Sequence, residues 1–289
     1  MEHLPPALTW LTCEGIELDS LPPRLRVLGC GLNATTVRPY LPNLPPTIQQ
    51  LRLYNDTIQL IPDLPKSLTH LDCLLDPPNF SCVPPGLTFL DIYVPNSDAS
   101  PLVQLPHTLT TLVCSLQVFC PLSFLPPKLV KLTLRTVGWV GSDPIDASIE
   151  WVKHLPATLT WLRLGVPIPT LSDDDFKAMR CAPNLIYLSV DQPSRLEGTK
   201  KFSLTSAVFQ HLGRSLKNLG LCVEEAFADD FKLLPRTLLT LELIVLKPIA
   251  DPPHAILESL PPLLGNFHLQ GQDILPFLLQ ASVTDIDVH

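Results

Sequence analysis

Apolar residues recur along this chain in one short phrase, L-P-P-x-L-x-x-L-x-L, first seen as Leu4-Pro5-Pro6-Ala7-Leu8-Thr9-Trp10-Leu11-Thr12-Cys13. It restarts at Leu21, Leu44, Leu64, Val83, Leu105, Leu125 and Leu155, in looser form at Cys181 and Leu212, and again at Leu234, Leu260 and Leu279. Thirteen copies follow one another at steps of 17 to 31 residues. A period of this length signals stacked supersecondary units, each too small to bury its own core. The closing L-x-L alternates apolar and polar, the period of a half-buried strand. The two earlier apolar positions carry the core round the turn. Proline occupies the second position in ten copies. It fixes φ and removes a backbone donor, so the entry to each strand is expected to be extended and unable to lengthen a sheet. Each coil then adds one short parallel strand, with its core buried only against neighbouring coils.

The middle of the chain departs from this rule. Steps of 26 to 31 residues leave room for a helix opposite the strands. Ser172 followed by Asp173, Asp174 and Asp175 reads as an N-cap with acids in the first turn, predicting a helix over 172–180. A second is expected over 204–212.

These residues resemble the leucine-rich-repeat family, and the resemblance runs over essentially the whole chain. The proline-marked copies, such as Ile61-Pro62-Asp63-Leu64-Pro65-Lys66-Ser67-Leu68-Thr69-His70-Leu71, are similar to the short repeats of bacterial effector proteins and to FNIP-type repeats. The stretch from Asp175 to Leu188 resembles the longer repeats of ribonuclease-inhibitor-like and F-box-associated proteins. The asparagine that the family carries three residues past the third leucine stands here as Asn33, with Asp56 and Asp76 as substitutes. The resemblance implies an α/β solenoid, a horseshoe of about thirteen coils with a parallel concave sheet and a mostly extended convex side. One leucine-rich-repeat domain over 1–289 is expected, with short repeats over 4–154, longer ones over 155–233 and short ones again over 234–289.

Composition sharpens this picture by exclusion. Leucine takes 58 positions and proline 33; proline at that density rules out long helices and coiled coils. With 46% hydrophobic and only 17% charged residues, the chain can bury a core rather than remain disordered. A net charge of -8 without any basic run lacks the footprint of a nucleic-acid binder. The longest apolar run, Leu238 to Leu246, is broken by Thr240 and Glu242 and is too short to cross a bilayer. The first residues carry no secretory pattern, so a cytoplasmic protein without a membrane partner is expected.

Cys13, Cys30, Cys73 and Cys114 fall in the last apolar slot and Cys181 in the first, where a thiol behaves as a small hydrophobe. Cys13 and Cys30, in adjacent coils, are expected to approach each other. Cys82 and Cys120 are assigned to turns and Cys222 to the strand face beyond Leu221. None has a C-x-x-C partner, so no metal or cofactor is expected. The formal sequons at Asn33, Asn55 and Asn79 are read as turn residues. No catalytic motif occurs, the best acid pair being Asp72 with Asp91, and an enzyme is not expected.

The outward positions of the strands carry the candidate chemistry. Five of the eight Trp and Tyr residues fall there: Trp10, Tyr54, Tyr93, Trp161 and Tyr187. Of eleven phenylalanines only Phe89 joins them. Trp and Tyr combine large contact area with a polar handle and recur in binding hot spots. Two clusters result. One joins Arg52, Tyr54, His70, Asp72, Phe89, Asp91 and Tyr93; the other joins Trp161, Arg163, Tyr187 and Asp191, with Lys131 and Arg135 making the space between them basic. The expected function is non-catalytic binding of a protein partner on the concave face. The alternative is a substrate-recognition or inhibitory subunit of a multi-chain enzyme such as a ubiquitin ligase. Tyr93→Ala or Trp161→Ala is expected to weaken binding with little change in melting temperature. Repeats also run to both ends without capping units, which predicts either a longer protein or end-to-end self-association.

Overall fold

The computed structural model describes residues 4–14, 21–31, 44–58, 64–75, 83–94, 105–116, 125–136, 149–165, 173–190, 204–249 and 251–271. The chain gathers into two compact units, Met1–Leu129 and Val130–His289.

In the first unit six strands lie side by side in chain order, all parallel: β1 (Trp10–Glu14), β2 (Val27–Gly31), β3 (Gln50–Ile58), β4 (His70–Leu75), β5 (Phe89–Val94) and β6 (Thr111–Leu116). Register follows the repeat, so Leu28 pairs with Leu51 and Leu71 with Leu90. The second unit repeats the arrangement with β7 (Lys131–Thr136), β8 (Trp161–Gly165), β9 (Tyr187–Val190), β10 (Asn218–Val223), β11 (Thr240–Val245) and β12 (Asn266–Gly271). Twelve of the thirteen copies thus carry a strand; the one opening at Leu279 lies outside the described residues. The apolar slots face inward, and Leu25, Leu28, Leu51, Leu71, Leu112, Leu162, Leu219 and Leu241 are fully or almost fully buried. In the first coil Leu8 and Leu11 are only half-buried.

The prolines act differently from the extended entry that the sequence suggests. In each described copy the carbonyl of the second position accepts from the amide of the fifth, as in Leu25 to Pro22 at 3.1 Å and Leu68 to Pro65 at 3.0 Å. This closes a β-turn. Where a second proline follows, it takes the first central position of that turn, which its fixed φ suits.

A feature the apolar pattern hides is a rung of hydroxyls between coils. The fourth position of a copy donates to carbonyls of the preceding coil: Thr47 Oγ1 to Pro23 and Leu25 at 3.0 and 2.7 Å, and Ser67 Oγ to Pro46 and Ile48, both at 2.6 Å. Thr108 and Thr237 do the same. A second rung runs through the sixth position, with Thr69, Thr88 and Thr110 each bonding the chain before it. The turn carbonyls, which no strand pairs, thereby find donors.

Opposite the strands, the second unit is more helical than expected. The helix predicted over 172–180 is α1 (Asp173–Ala178), continued by a 3-10 turn at Met179–Cys181; Ser172 lies outside the described residues. The segment expected over 204–212 is a 3-10 helix, Ser206–His211, capped by Thr205. Its buried Ser206, Val208 and Phe209 pin a short piece to the core, and such short pieces commonly take the tighter winding. Three more were not anticipated: a 3-10 helix at Ile149–His154, α2 (Ala228–Phe231) and α3 (Pro253–Ser259). Pro253 opens α3, where its missing N–H costs nothing. The same residue type that closes turns elsewhere starts a helix here.

Two smaller differences follow from register and cover. Asn55 and Asp56 belong to β3 rather than to a turn, at a register shift between Arg52 and Thr57, so the extra residues form a bulge. Cys222 is fully buried rather than on an open face. Leu204 runs alongside that end of β10, its carbonyl accepting from Glu224 N at 2.9 Å. Burial pushes the Cys222 thiol up to about 12. Cys13, Cys30, Cys73 and Cys114 are buried as their slots imply, and Cys181 partly so. The Cys13 and Cys30 sulfurs are 3.7 Å apart. Cys82, Cys120, Asn33 and Asn79 lie outside the described residues.

Candidate functional site

Successive coils in register place equivalent outward side chains in columns about 4.8 Å apart. In the second unit the first column reads Lys131, Trp161, Tyr187, Asn218, Thr240 and Asn266 across β7 to β12. The Trp161 and Tyr187 rings stack with centroids 3.6 Å apart and planes 3° from parallel. Lys131 Nζ sits 5.5 Å from the centre of the Trp161 ring, within reach of its negative face. A cation and two rings therefore form one ladder, each half-exposed or exposed. The second column is Thr133, Arg163, Ser189, Gly220, Glu242 and His268. Arg163 is exposed beside the stack. Asp191 lies outside the described residues.

In the first unit the corresponding columns bring Arg52 beside Asp72, and Asp72 beside Asp91. His70 stacks on Phe89 with centroids 5.5 Å apart and planes 17° from parallel. Its Nδ1 is 3.0 Å from Thr69 Oγ1. Partial burial holds the imidazole below its ordinary range, and the Arg52 guanidinium lowers it further. Burial pushes the Cys73 thiol upward, and the Asp72 and Asp91 carboxylates add to the shift. Trp10, at the start of β1, is 65% exposed. Tyr54 and Tyr93 occupy β3 and β5 as expected, opposite Gly31 and Leu74.

Ring stacking between coils is what the sequence reading missed. The repeat groups Trp161 with Tyr187 in one cluster, and their equal place in adjacent copies brings the two rings face to face. The same offset, counted between copies, places Lys131 on the ladder. Among the described residues no group of three or more His, Cys, Asp or Glu side chains could hold a metal ion. No described helix is long and apolar enough to cross a membrane.

No family model matches this chain, and no curated protein does. Among solved structures, CroV588, a circular leucine-rich-repeat protein, is 19% identical with a TM-score of 0.45, over 99% of this chain and 50% of its own. YopM from Yersinia enterocolitica WA-314 is 19% identical with a TM-score of 0.45, over 100% and 61%. LegL7, a leucine-rich-repeat-containing protein from Legionella pneumophila, is 15% identical with a TM-score of 0.40, over 83% and 93%. The chain thus spans less than two thirds of the first two. Its own features are more direct: a recurring L-P-P-x-L-x-x-L-x-L phrase, one parallel strand per copy, and pairing that keeps equivalent residues side by side. In repeat and in strand register, this chain has a leucine-rich-repeat fold.

Proposed function

We propose that the chain is a non-catalytic binding module whose outward strand faces engage a protein partner. The carrying observation is the Lys131–Trp161–Tyr187 ladder. Large rings held rigid by one another lose little freedom on contact, the property that makes Trp and Tyr effective anchors. Arg163 flanks them, and Arg52, Asp72, Phe89, Asp91, Tyr54, Tyr93 and Trp10 form the corresponding contacts on the first unit. The test is to pan a displayed peptide library on the protein and rebind the enriched peptides to the Trp161→Ala/Tyr187→Ala variant. A loss of about tenfold or more, the scale of a hot-spot pair, is expected. Undiminished binding, with the variant folded, would reject the strand face as the site.

Four further parts of the reading carry their own tests. A role as the recognition or inhibitory subunit of a ubiquitin ligase predicts ligase components in native co-purification. Free, buried thiols fit a reducing, cytoplasmic compartment, which imaging of the tagged protein checks. A single domain over 1–289 predicts that limited proteolysis leaves no stable half. Self-association through the first coil draws support from exposed Trp10 and half-buried Leu8 and Leu11; Trp10→Asp should then shift the sedimentation coefficient to that of a monomer.

A further inference from the structure

Among the described residues the Tyr187 ring is stacked on one side, by Trp161. Trp161 covers the face toward β8, while the other face looks along the column toward Asn218 on β10, the register partner of Tyr187. Two residues further along β10 stands Gly220, the strand's next outward position. A Cβ there would lie 3.1 Å from Ser189 Oγ and 3.7 Å from Glu242 Oε2. The Glu242 carboxylate therefore leans from β11 back over β10, across the space that any larger residue at 220 would fill. The result is a notch beside the Tyr187 ring, floored by Asn218 and by Ser189 Oγ packed over Gly220, with the Glu242 carboxylate of β11 leaning in from the far side. Glu242 is exposed and makes no ion pair among the described residues.

A flat aromatic face, a small-residue floor and an unneutralised carboxylate match one kind of group, a planar cation. A guanidinium can lie on the ring and direct its edge N–H groups at a carboxylate, whereas an ammonium offers no such plane. We propose that the partner places an arginine side chain in this notch, stacked on Tyr187 and paired with Glu242. The inference rests on the strand-face reading above and names the chemistry of its partner. It also gives the face an orientation. The ladder and Arg163 lie on β7 to β9, and the carboxylate on β11, so the partner's arginine must point toward the β11 end.

The probe is N-acetyl-L-arginine amide, with N-acetyl-L-citrulline amide as its neutral isostere, titrated into the isotopically labelled full chain and followed by NMR. Saturable shifts at the Gly220 and Glu242 amides are expected for arginine, with at least a fivefold weaker response to citrulline. Glu242→Gln, a change at an exposed site, should weaken arginine binding about fivefold, and Tyr187→Leu about threefold or more. Equal responses to both amides, no response, or full binding to Glu242→Gln would overturn the proposal. If library peptides bind the β7–β12 face while the arginine amide leaves Gly220 unmoved, this inference falls and the strand-face reading stands. If the amide binds and no peptide does, the notch takes a planar cation, but the protein-partner reading falls and the assignment of that cation to a partner's arginine falls with it.

Discussion

Truncating Trp161 tests whether the aromatic ladder is an energetic unit or only a coincidence of register. Each ring is half-exposed, so about half of the roughly 200 Å² an aromatic side chain can bury is removed from water. At about 25 cal/mol per Å² this amounts to ~2.5 kcal/mol for either Trp161→Ala or Tyr187→Ala. The sequence reading expected little change in melting temperature; the stack revises that expectation, because each truncation also strips a partner from its neighbour. Parallel rings 3.6 Å apart should couple by about 0.5–1.5 kcal/mol. The double variant should therefore cost about 1 kcal/mol less than the sum of the singles. Equilibrium urea unfolding, read by circular dichroism on all four proteins, measures the cycle. Because repeat arrays can unfold in steps, agreement between circular dichroism and fluorescence is required first. A coupling below about 0.3 kcal/mol, within additivity error, would show that the rings are adjacent but independent, and the argument for a preorganised anchor would fail.

Other outcomes follow from the same structure. Thr47→Val removes the donor to the Pro23 and Leu25 carbonyls while keeping the side-chain shape; chemical denaturation should show a loss of about 1 kcal/mol, and no loss would mean that water serves those carbonyls equally well. The His70 imidazole should titrate below the 6.5 of an ordinary histidine by NMR. Since its folded value is lowered, its contribution to stability is present above 6.5 and lost as pH falls toward the folded value. Arg52→Gln should raise that value, and an unchanged titration would refute the assigned influence of Arg52. The Cys30 and Cys222 thiols, both pushed up to about 12 by burial, with Cys13 adding to the shift at Cys30, should resist iodoacetamide at pH 8 until the chain is denatured. Rapid native alkylation would show that the core opens.

Strand positions were legible because the L-x-L alternation forces one side of each strand inward: Leu28, Leu51 and Leu71 are buried as their slots require. The β-turns were less so, since proline alone does not say whether a φ near -65° starts a turn, an extended entry or, as at Pro253, a helix. The short helices depend on tertiary packing, with Phe176, Phe209 and Phe231 each buried against the core. Site residues and their two clusters could be named from the repeat, but which side chains touch required the structure. Trp161 and Tyr187 are 26 residues apart in sequence and become stacked only because their coils are adjacent. The notch at Gly220 is subtler still, because an absent side chain carries no signal until its neighbours are known.

The account rests on the outward strand face, and site-specific photo-crosslinking tests that most directly. Benzoylphenylalanine at Thr240, on the outward face of β11, is compared with the same residue at Lys177, on the exposed side of α1, in extract from the native cell. A discrete crosslinked partner at position 240, absent at 177 and competed by the unlabelled protein, is the predicted result. Crosslinking at 177 and none at 240 would place the partner on the helical side and contradict the account.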